Sequence, residues 1–355
     1  MTKKIKVLIV DDSALIRSIL SEILSNDEKI EVAGTAIDAY DAREKIKNLN
    51  PDVITLDVEM PKMDGISFLE KIMTLRPTPV IMVSTLTGKG TDTAIAALEL
   101  GAIDCIAKPL VNSEAELNIF ATELCQKIHL AGKATLQKRH ISTNDEIVGT
   151  YRLKSSAPKL IAIGASTGGV EAIGDILIKL PKETPPIIIT QHMPAGFTAS
   201  FAKRLDNKCT INVVEASHQM QLESGKAIIA CGGTHLHLKP AKAFYAKECY
   251  AKELYECALS DGELISGHKP SVDAMFGCVA KMLGKQALGI ILTGMGRDGA
   301  KGLLAMRESG AHTIAQSEAS CTVYGMPRQA IEIGAASEII DLHNMANIIK
   351  QRCFL

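Results

Sequence analysis

Short apolar runs and amphipathic stretches alternate along most of the chain. Residues 6–10 form an apolar run that ends in Asp11-Asp12, and residues 53–56 form a second that ends in Asp57. Residues 80–83 lead into Ser84-Thr85, and residues 105–107 into Lys108-Pro109. Unbroken apolar runs of this length suit strands covered on both faces. Between the first two, Ile16, Ile19, Leu20, Ile23 and Leu24 recur at helical spacing. The pattern predicts a repeated β–α unit with a parallel sheet. Its last helix is expected to begin near Ser113, where Ser113-Glu-Ala-Glu116 fits a capping box. Leu117, Phe120, Ala121, Leu124 and Ile128 would be the buried face.

The rhythm fades over residues 126–157, where six basic residues (Lys127, Lys133, Lys138, Arg139, Arg152, Lys154) face Asp145 and Glu146. This stretch reads as a solvated tether, or as a segment that transmits a signal by fixing the angle between two domains. The rhythm resumes with residues 160–163, the strand at 186–190 and the strand at 287–292. A length of 355 residues fits two domains. The expected organisation is residues 1–125, a linker at 126–157, and a second α/β domain at 158–355.

Composition narrows the function classes. Hydrophobic residues make up 46% and charged residues 22%, a globular balance. The net charge of −1, the absence of Trp and 4% aromatics argue against a nucleic-acid partner. Nine cysteines with no C-x-x-C pair suit free thiols in a reducing compartment. The N-terminal stretch turns acidic at Asp11, unlike a signal peptide, and no apolar run is long enough to span a bilayer. A cytoplasmic protein without membrane insertion is expected.

In a parallel sheet the strand carboxyl ends share one edge, where ligands bind. That edge would gather Asp11, Asp12, Asp57, Ser84 and Lys108. Three crowded carboxylates call for a hard divalent cation with oxygen ligands, Mg²⁺ above all. Lys108 and Ser84 suit the oxygens of a phosphoryl group. These residues, with Asp57-Val-Glu-Met-Pro-Lys-Met-Asp-Gly65, closely resemble the receiver domain of response regulators. The resemblance implies a flavodoxin-like (βα)5 fold in which a histidine kinase phosphorylates Asp57. It also implies Mg²⁺ held by Asp11, Asp12, Asp57 and the Glu59 carbonyl, with Ser84 and Lys108 sensing the phosphoryl group. Cys105 stands where receivers usually carry an aromatic switch residue.

In the second half, Leu160-Ile-Ala-Ile-Gly-Ala-Ser-Thr-Gly-Gly169 predicts a strand, a sharp turn and a helix, with Ser166 on the turn. His192 follows the next strand and Asp298 a later one, so a doubly wound sheet would bring all three to one crevice. A hydroxyl, an imidazole and a carboxylate are the parts of acyl transfer. The chain order Ser, His, Asp differs from that of α/β-hydrolases. Gly164-x-Ser166-x-x-Gly169 also resembles a dinucleotide-binding turn, but the next strand ends in Gln191-His192 where that turn wants a carboxylate.

Gly164-Ala-Ser-Thr-Gly-Gly169, Gln191-His-Met-Pro194, Pro270-Ser-Val-Asp273, Leu292-Thr-Gly-Met-Gly-Arg-Asp-Gly299 and Tyr324-Gly-Met-Pro327 resemble the chemotaxis methylesterase (CheB) family. That resemblance implies a Rossmann-like, mostly parallel sheet with an antiparallel hairpin. It implies hydrolysis of glutamyl methyl esters on methyl-accepting chemoreceptors, with deamidation of receptor glutamines in many members. Ser166, His192 and Asp298 would form the triad, and backbone N–H groups of Thr167 and Met295 the oxyanion hole, with no metal in this half. The kinase would be that of chemotaxis, and recruitment to chemoreceptor arrays is expected. The segment His268-Lys-Pro-Ser-Val-Asp273 would shape the substrate groove. The fusion suggests gating, with an unphosphorylated receiver covering the crevice. The rival readings are a receiver-gated hydrolase of another ester or protein, and a non-catalytic binding module.

Three features stand apart. Cys231 replaces a usual proline. Tyr245-Ala-Lys-Glu-Cys-Tyr-Ala-Lys-Glu-Leu-Tyr255 repeats at a spacing of five, which suggests an exposed hairpin or loop. His235-x-His237 shares one strand face without a third ligand, which favours structural roles.

Overall fold

The computed structural model describes residues 3–84, 88–108, 114–134, 151–241 and 255–355. The chain separates into two units, Met1–Gln137 and Lys138–Leu355.

The first unit runs β1 (Ile5–Val10), α1 (Ala14–Ser25), β2 (Ile30–Ala36), α2 (Ala39–Leu49), β3 (Val53–Asp57), α3 (Gly65–Leu75), β4 (Val80–Ser84), α4 (Gly88–Glu99), β5 (Asp104–Ala107) and α5 (Glu114–Ala131). Its five strands are parallel in the order β2-β1-β3-β4-β5. Side-chain caps fix three helix starts: Ser13 accepts from Ile16 N–H, Asp38 from Tyr40 and Asp41, and Asp64 from Ser67. Gly65 opens α3 where a Cβ would lie 2.0 Å from the Asp57 carbonyl oxygen, so the glycine of the Asp57–Gly65 motif answers a close approach.

The expected face of α5 is seen at Phe120, Leu124 and Ile128, which join Val7, Ile9, Leu20 and Leu24 in one core. The helix continues past residue 126 to Ala131 because Ile128 and Ala131 remain buried there. Ser113 of the expected capping box lies outside the described residues, as do Thr85 and Pro109.

The second unit runs β6 (Leu160–Ala165), α6 (Gly169–Leu177), β7 (Ile187–Gln191), α7 (Phe197–Asp206), β8 (Asn212–Glu215), β9 (Lys226–Ile229), β10 (His235–Pro240), β11 (Tyr255–Ser260), α8 (Val272–Leu283), β12 (Ala287–Ile291), α9 (Ala300–Glu308), β13 (His312–Gln316), α10 (Met326–Glu332), β14 (Glu338–Ile340) and α11 (Leu342–Cys353). Seven parallel strands take the order β14-β13-β12-β6-β7-β9-β8, and β10 and β11 form a separate antiparallel pair. After β6 the chain moves outward one way, and after β12 it moves the other way. Their boundary is the switch point where such sheets open a crevice.

The strand-turn-helix at Ser166 forms as the pattern predicts. Gly168 adopts φ 78° at the N-cap of α6, a left-handed conformation that costs glycine little. Gly169 N–H closes the turn on the Ser166 carbonyl at 2.7 Å. On α8, Val272, Met275, Phe276, Val279 and Leu283 recur at helical spacing and enter one core with Ile188, Ile291 and Leu303.

The end of the expected tether is fastened. Leu153 bridges to Phe354, Lys154 N–H donates to the Cys353 carbonyl at 2.8 Å, and the Tyr151 and Phe354 rings meet edge-on at 5.1 Å. Residues 135–150 lie outside the description, as does the five-residue repeat up to Tyr255, which pairs with Pro240 at the start of β11.

Candidate active site

Two clusters form at strand carboxyl ends, one in each unit. In the first unit β1 delivers Asp11 and Asp12, β3 ends in Asp57, β4 in Ser84, and Lys108 follows β5. One ligating atom from each of Asp11, Asp12 and Asp57 lies within 4.8 Å of the others. Lys108 Nζ meets Asp11 Oδ2 at 3.0 Å and Asp57 Oδ2 at 2.8 Å. Both oxygens are buried and find no well-aligned hydrogen-bond donor among the described residues. Burial pushes the Asp57 carboxyl up to about 6 against the pull of Lys108, and the Asp11 charge adds to the rise. Three carboxylates and one ammonium leave an excess of negative charge and hard oxygen donors, which fit Mg²⁺. Glu59 N–H donates to Asp57 Oδ1 at 3.3 Å. Ser84 is buried, and its carbonyl accepts from Lys108 N–H at 2.8 Å.

In the second unit β6 and β7 pair in parallel register through Ala165↔Gln191, so Ser166 and His192 each stand one residue beyond that last pair. Neighbouring strands lie about 4.8 Å apart, which makes the two close neighbours at the sheet edge. His192 N–H donates to the Ala165 carbonyl at 3.1 Å, and Gln191 Nε2 to the Ser166 carbonyl at 2.9 Å. The loop after β12 comes to the same edge, where Ser166 N–H donates to the Thr293 carbonyl at 3.0 Å.

His192 Nε2 and Asp298 Oδ2 are 2.8 Å apart. Asp298 accepts three further bonds, from Ser271 Oγ at 2.8 Å, Val272 N–H at 2.7 Å and Asp273 N–H at 3.0 Å. Burial alone would raise this carboxyl, but the bond and charge of His192 and the backbone donors outweigh it and hold it below the usual range. An ionised Asp298 therefore fixes the proton on Nε2. The Nδ1 atom of His192 is buried and without a hydrogen-bond partner among the described residues. No hydrogen bond joins Ser166 Oγ to that Nδ1 among the described residues.

Thr167 is buried, and its carbonyl accepts from Thr293 Oγ1 at 3.0 Å. Thr293 N–H donates to Gln316 Oε1 at 2.7 Å, and Gly325 and Met326 N–H groups hold the Gly294 carbonyl beside Met295. Both expected oxyanion donors thus sit on braced backbone.

The sequence reading assigned no role to Gln191, Thr293 or Gln316, and to Ser271 only a place in the groove segment 268–273. Each acts by closing a loop onto a distant strand, and nothing local in the chain marks that. His268 lies face to face with His192. His235 uses both ring nitrogens, Nε2 with the Glu263 carbonyl at 2.8 Å and Nδ1 accepting from Ser271 N–H at 3.3 Å.

The CheB methylesterase family profile matches residues 161–349, and that of the response regulator receiver domain matches residues 7–119. The protein-glutamate methylesterase/protein-glutamine glutaminase of Nitrosomonas europaea is 49% identical over 356 residues, covering 99% of this chain and 97% of its own. That of Escherichia coli O157:H7 is 48% identical over 343 residues, covering 97% and 95%. The crystal structure of the Thermotoga maritima CheB methylesterase catalytic domain matches at a TM-score of 0.50 and 33% identity, covering 55% of this chain and 98% of that one.

Proposed function

The chain belongs to the CheB methylesterase family, with a response regulator receiver domain ahead of the catalytic one, and from that premise we propose how its residues divide the work. The protein is a phosphorylation-activated protein-glutamate methylesterase and protein-glutamine glutaminase acting on chemoreceptors. It hydrolyses glutamyl methyl esters to glutamate and methanol, and glutamine side chains to glutamate and ammonia.

Ser166 Oγ attacks the side-chain carbonyl carbon while its proton passes to His192 Nδ1. The N–H groups of Thr167 and Met295 receive the oxyanion, and one such donor is typically worth about 10²–10³ in rate. His192 returns the proton to the departing methanol or ammonia. Water then attacks the acyl-enzyme, its proton goes to Nδ1, and Ser166 regains its hydroxyl as glutamate leaves. Asp298 holds the Nε2 proton throughout and stabilises the imidazolium. The nitrogens are used in the reverse sense to the serine-protease template, where the carboxylate meets Nδ1.

In the receiver, Asp11, Asp12, Asp57 and the Glu59 carbonyl would hold Mg²⁺, which supplies charge neutralisation for phosphoryl transfer. Asp57 accepts the phosphoryl group from the chemotaxis histidine kinase. Ser84 and Lys108 contact the new oxygens. No described helix is long and apolar enough to cross a membrane. The protein would work in the cytoplasm, at chemoreceptor arrays where its substrate lies.

The observation that carries this reading is the 2.8 Å bond from His192 Nε2 to Asp298, with Nδ1 lacking a hydrogen-bond partner among the described residues and His192 one residue beyond the strand pair that delivers Ser166. The test is methanol release from methylated receptor membranes. Ser166→Ala is expected to lower the rate at least about 10³-fold. A variant that keeps the wild-type rate overturns the assignment.

A further inference from the structure

A second imidazole covers the first. The rings of His192 and His268 are stacked with centroids 3.7 Å apart and planes 10° from parallel. The His192 side chain is only 8% exposed. We infer that His268 is a positioning residue for the hydrolysis, holding the His192 ring in the plane that joins Asp298 on one side and Ser166 on the other. The inference rests on the triad assignment above and adds to it a residue that acts through His192.

The geometry argues for a clamp. Rings at this separation are in van der Waals contact over their faces. A turn of the His192 ring about χ2 would drive its edge into His268. The stack therefore keeps the ring in one plane, and within that plane the bond of Nε2 to Asp298 selects the flip that aims Nδ1 away from the carboxylate. Asp298 alone fixes one ring atom and leaves the plane free to tilt.

His268 is itself held by a built turn. Ser266 and Gly267 have φ 53° and 84°, and Ile265 and His268 exchange backbone hydrogen bonds of 3.1 and 3.0 Å around them. Two positive-φ residues between such a pair are the mark of a tight two-residue hairpin. Ser266 Oγ donates to Asp273 Oδ2 at 2.9 Å, while Asp273 Oδ1 accepts from Gly302 N–H at 2.7 Å. On the other flank Lys269 Nζ donates to Asp261 Oδ1 at 2.7 Å and to the Gly262 carbonyl at 3.1 Å. The turn is thus tied to α8 and α9, the helices that flank Asp298. Burial raises the Asp273 carboxyl above its ordinary value, in keeping with its place beside Asp298.

The test uses the full chain, activated with a small phosphodonor, and measures methanol release from methylated receptor membranes. The variants are His268→Ala, His268→Phe, Ser266→Ala and Ser166→Ala. Covalent labelling of Ser166 by a fluorophosphonate is followed alongside. Loss of a clamp at this site is expected to lower kcat about 10- to 100-fold in His268→Ala with KM unchanged, and to slow labelling in proportion. His268→Phe, which keeps a flat ring and no ring nitrogen, should recover most of both rates. Ser266→Ala, at an exposed position, should show a smaller loss of the same kind. Unchanged kcat in His268→Ala overturns the inference. So does a raised KM at constant kcat, which would make His268 a substrate contact, or a Phe variant as slow as Ala, which would assign the effect to the ring nitrogens. If wild type fails to label and Ser166→Ala keeps activity, the triad reading fails instead.

Discussion

Asp298 carries more of the site than its proposed place as third member of a triad suggests. Its carboxylate accepts from one imidazole, one hydroxyl and two backbone N–H groups. It therefore ties the loop after β12 to the start of α8 as well as orienting His192. Asp298→Asn keeps the volume but can satisfy only part of this set and loses the charge. Activity is expected to fall by about 10⁴-fold, the usual scale for a triad carboxylate. Stability should fall by about 1–3 kcal/mol for the donor left buried and unpaired. The sign of the pH effect follows from the depressed carboxyl. Its stabilisation is present above the ordinary value of 3.8 and is lost as pH falls below it through the folded value. The melting temperatures of wild type and Asp298→Asn should differ at pH 7 and converge in acid. A constant gap down to the acid transition would show that the hydrogen bonds carry no linkage.

At the scale of elements, the strand ends were legible because each apolar run stops on a polar residue. The residues at or just beyond the ends of β1, β3, β4, β5, β6 and β7, and those in the loop after β12, announced both clusters. The supporting residues were not legible, since Ser271 and Gln316 become partners of Asp298 and Thr293 only when α8 and β13 are packed beside β12. The end of α5 was obscured by Lys127 and the basic residues beyond the helix, although Ile128 and Ala131 keep it in the core. One motif glycine can be priced in ångströms. A Cβ at Gly65 would sit 2.0 Å from the Asp57 carbonyl oxygen, a backbone atom that cannot swing aside. Gly65→Ala should push α3 away from β3 and destabilise the first unit by about 1–3 kcal/mol or more. Phosphate incorporation at Asp57 from a small phosphodonor should fall with it. Normal incorporation together with an unchanged melt would mean that the α3 start yields without cost.

For the whole molecule, the decisive feature is that each unit has a buried cluster of its own. One buried cluster draws only on residues between Val7 and Ala131, and another only on residues between Leu160 and Ala335. The second unit also binds its own incoming segment, since residues 152–154 are fastened to Cys353, Phe354 and Leu355. A chain cut to residues 138–355 keeps that clasp and the buried cluster between Leu160 and Ala335, so it is expected to fold with Ser166, His192 and Asp298 in place. Whatever the receiver imposes on the crevice is removed by the cut. The truncated chain should therefore release methanol at least as fast as the unphosphorylated full chain and ignore a phosphodonor. In the full chain the same phosphodonor should raise the rate. Asp57→Asn or chelation of Mg²⁺ should abolish that rise and leave the basal rate, because neither change touches the second unit's core or its triad. The measurement is methanol release under these conditions on one receptor preparation. A truncated chain that folds yet stays slower than the unphosphorylated parent would mean that the receiver assists the hydrolase and does not restrain it.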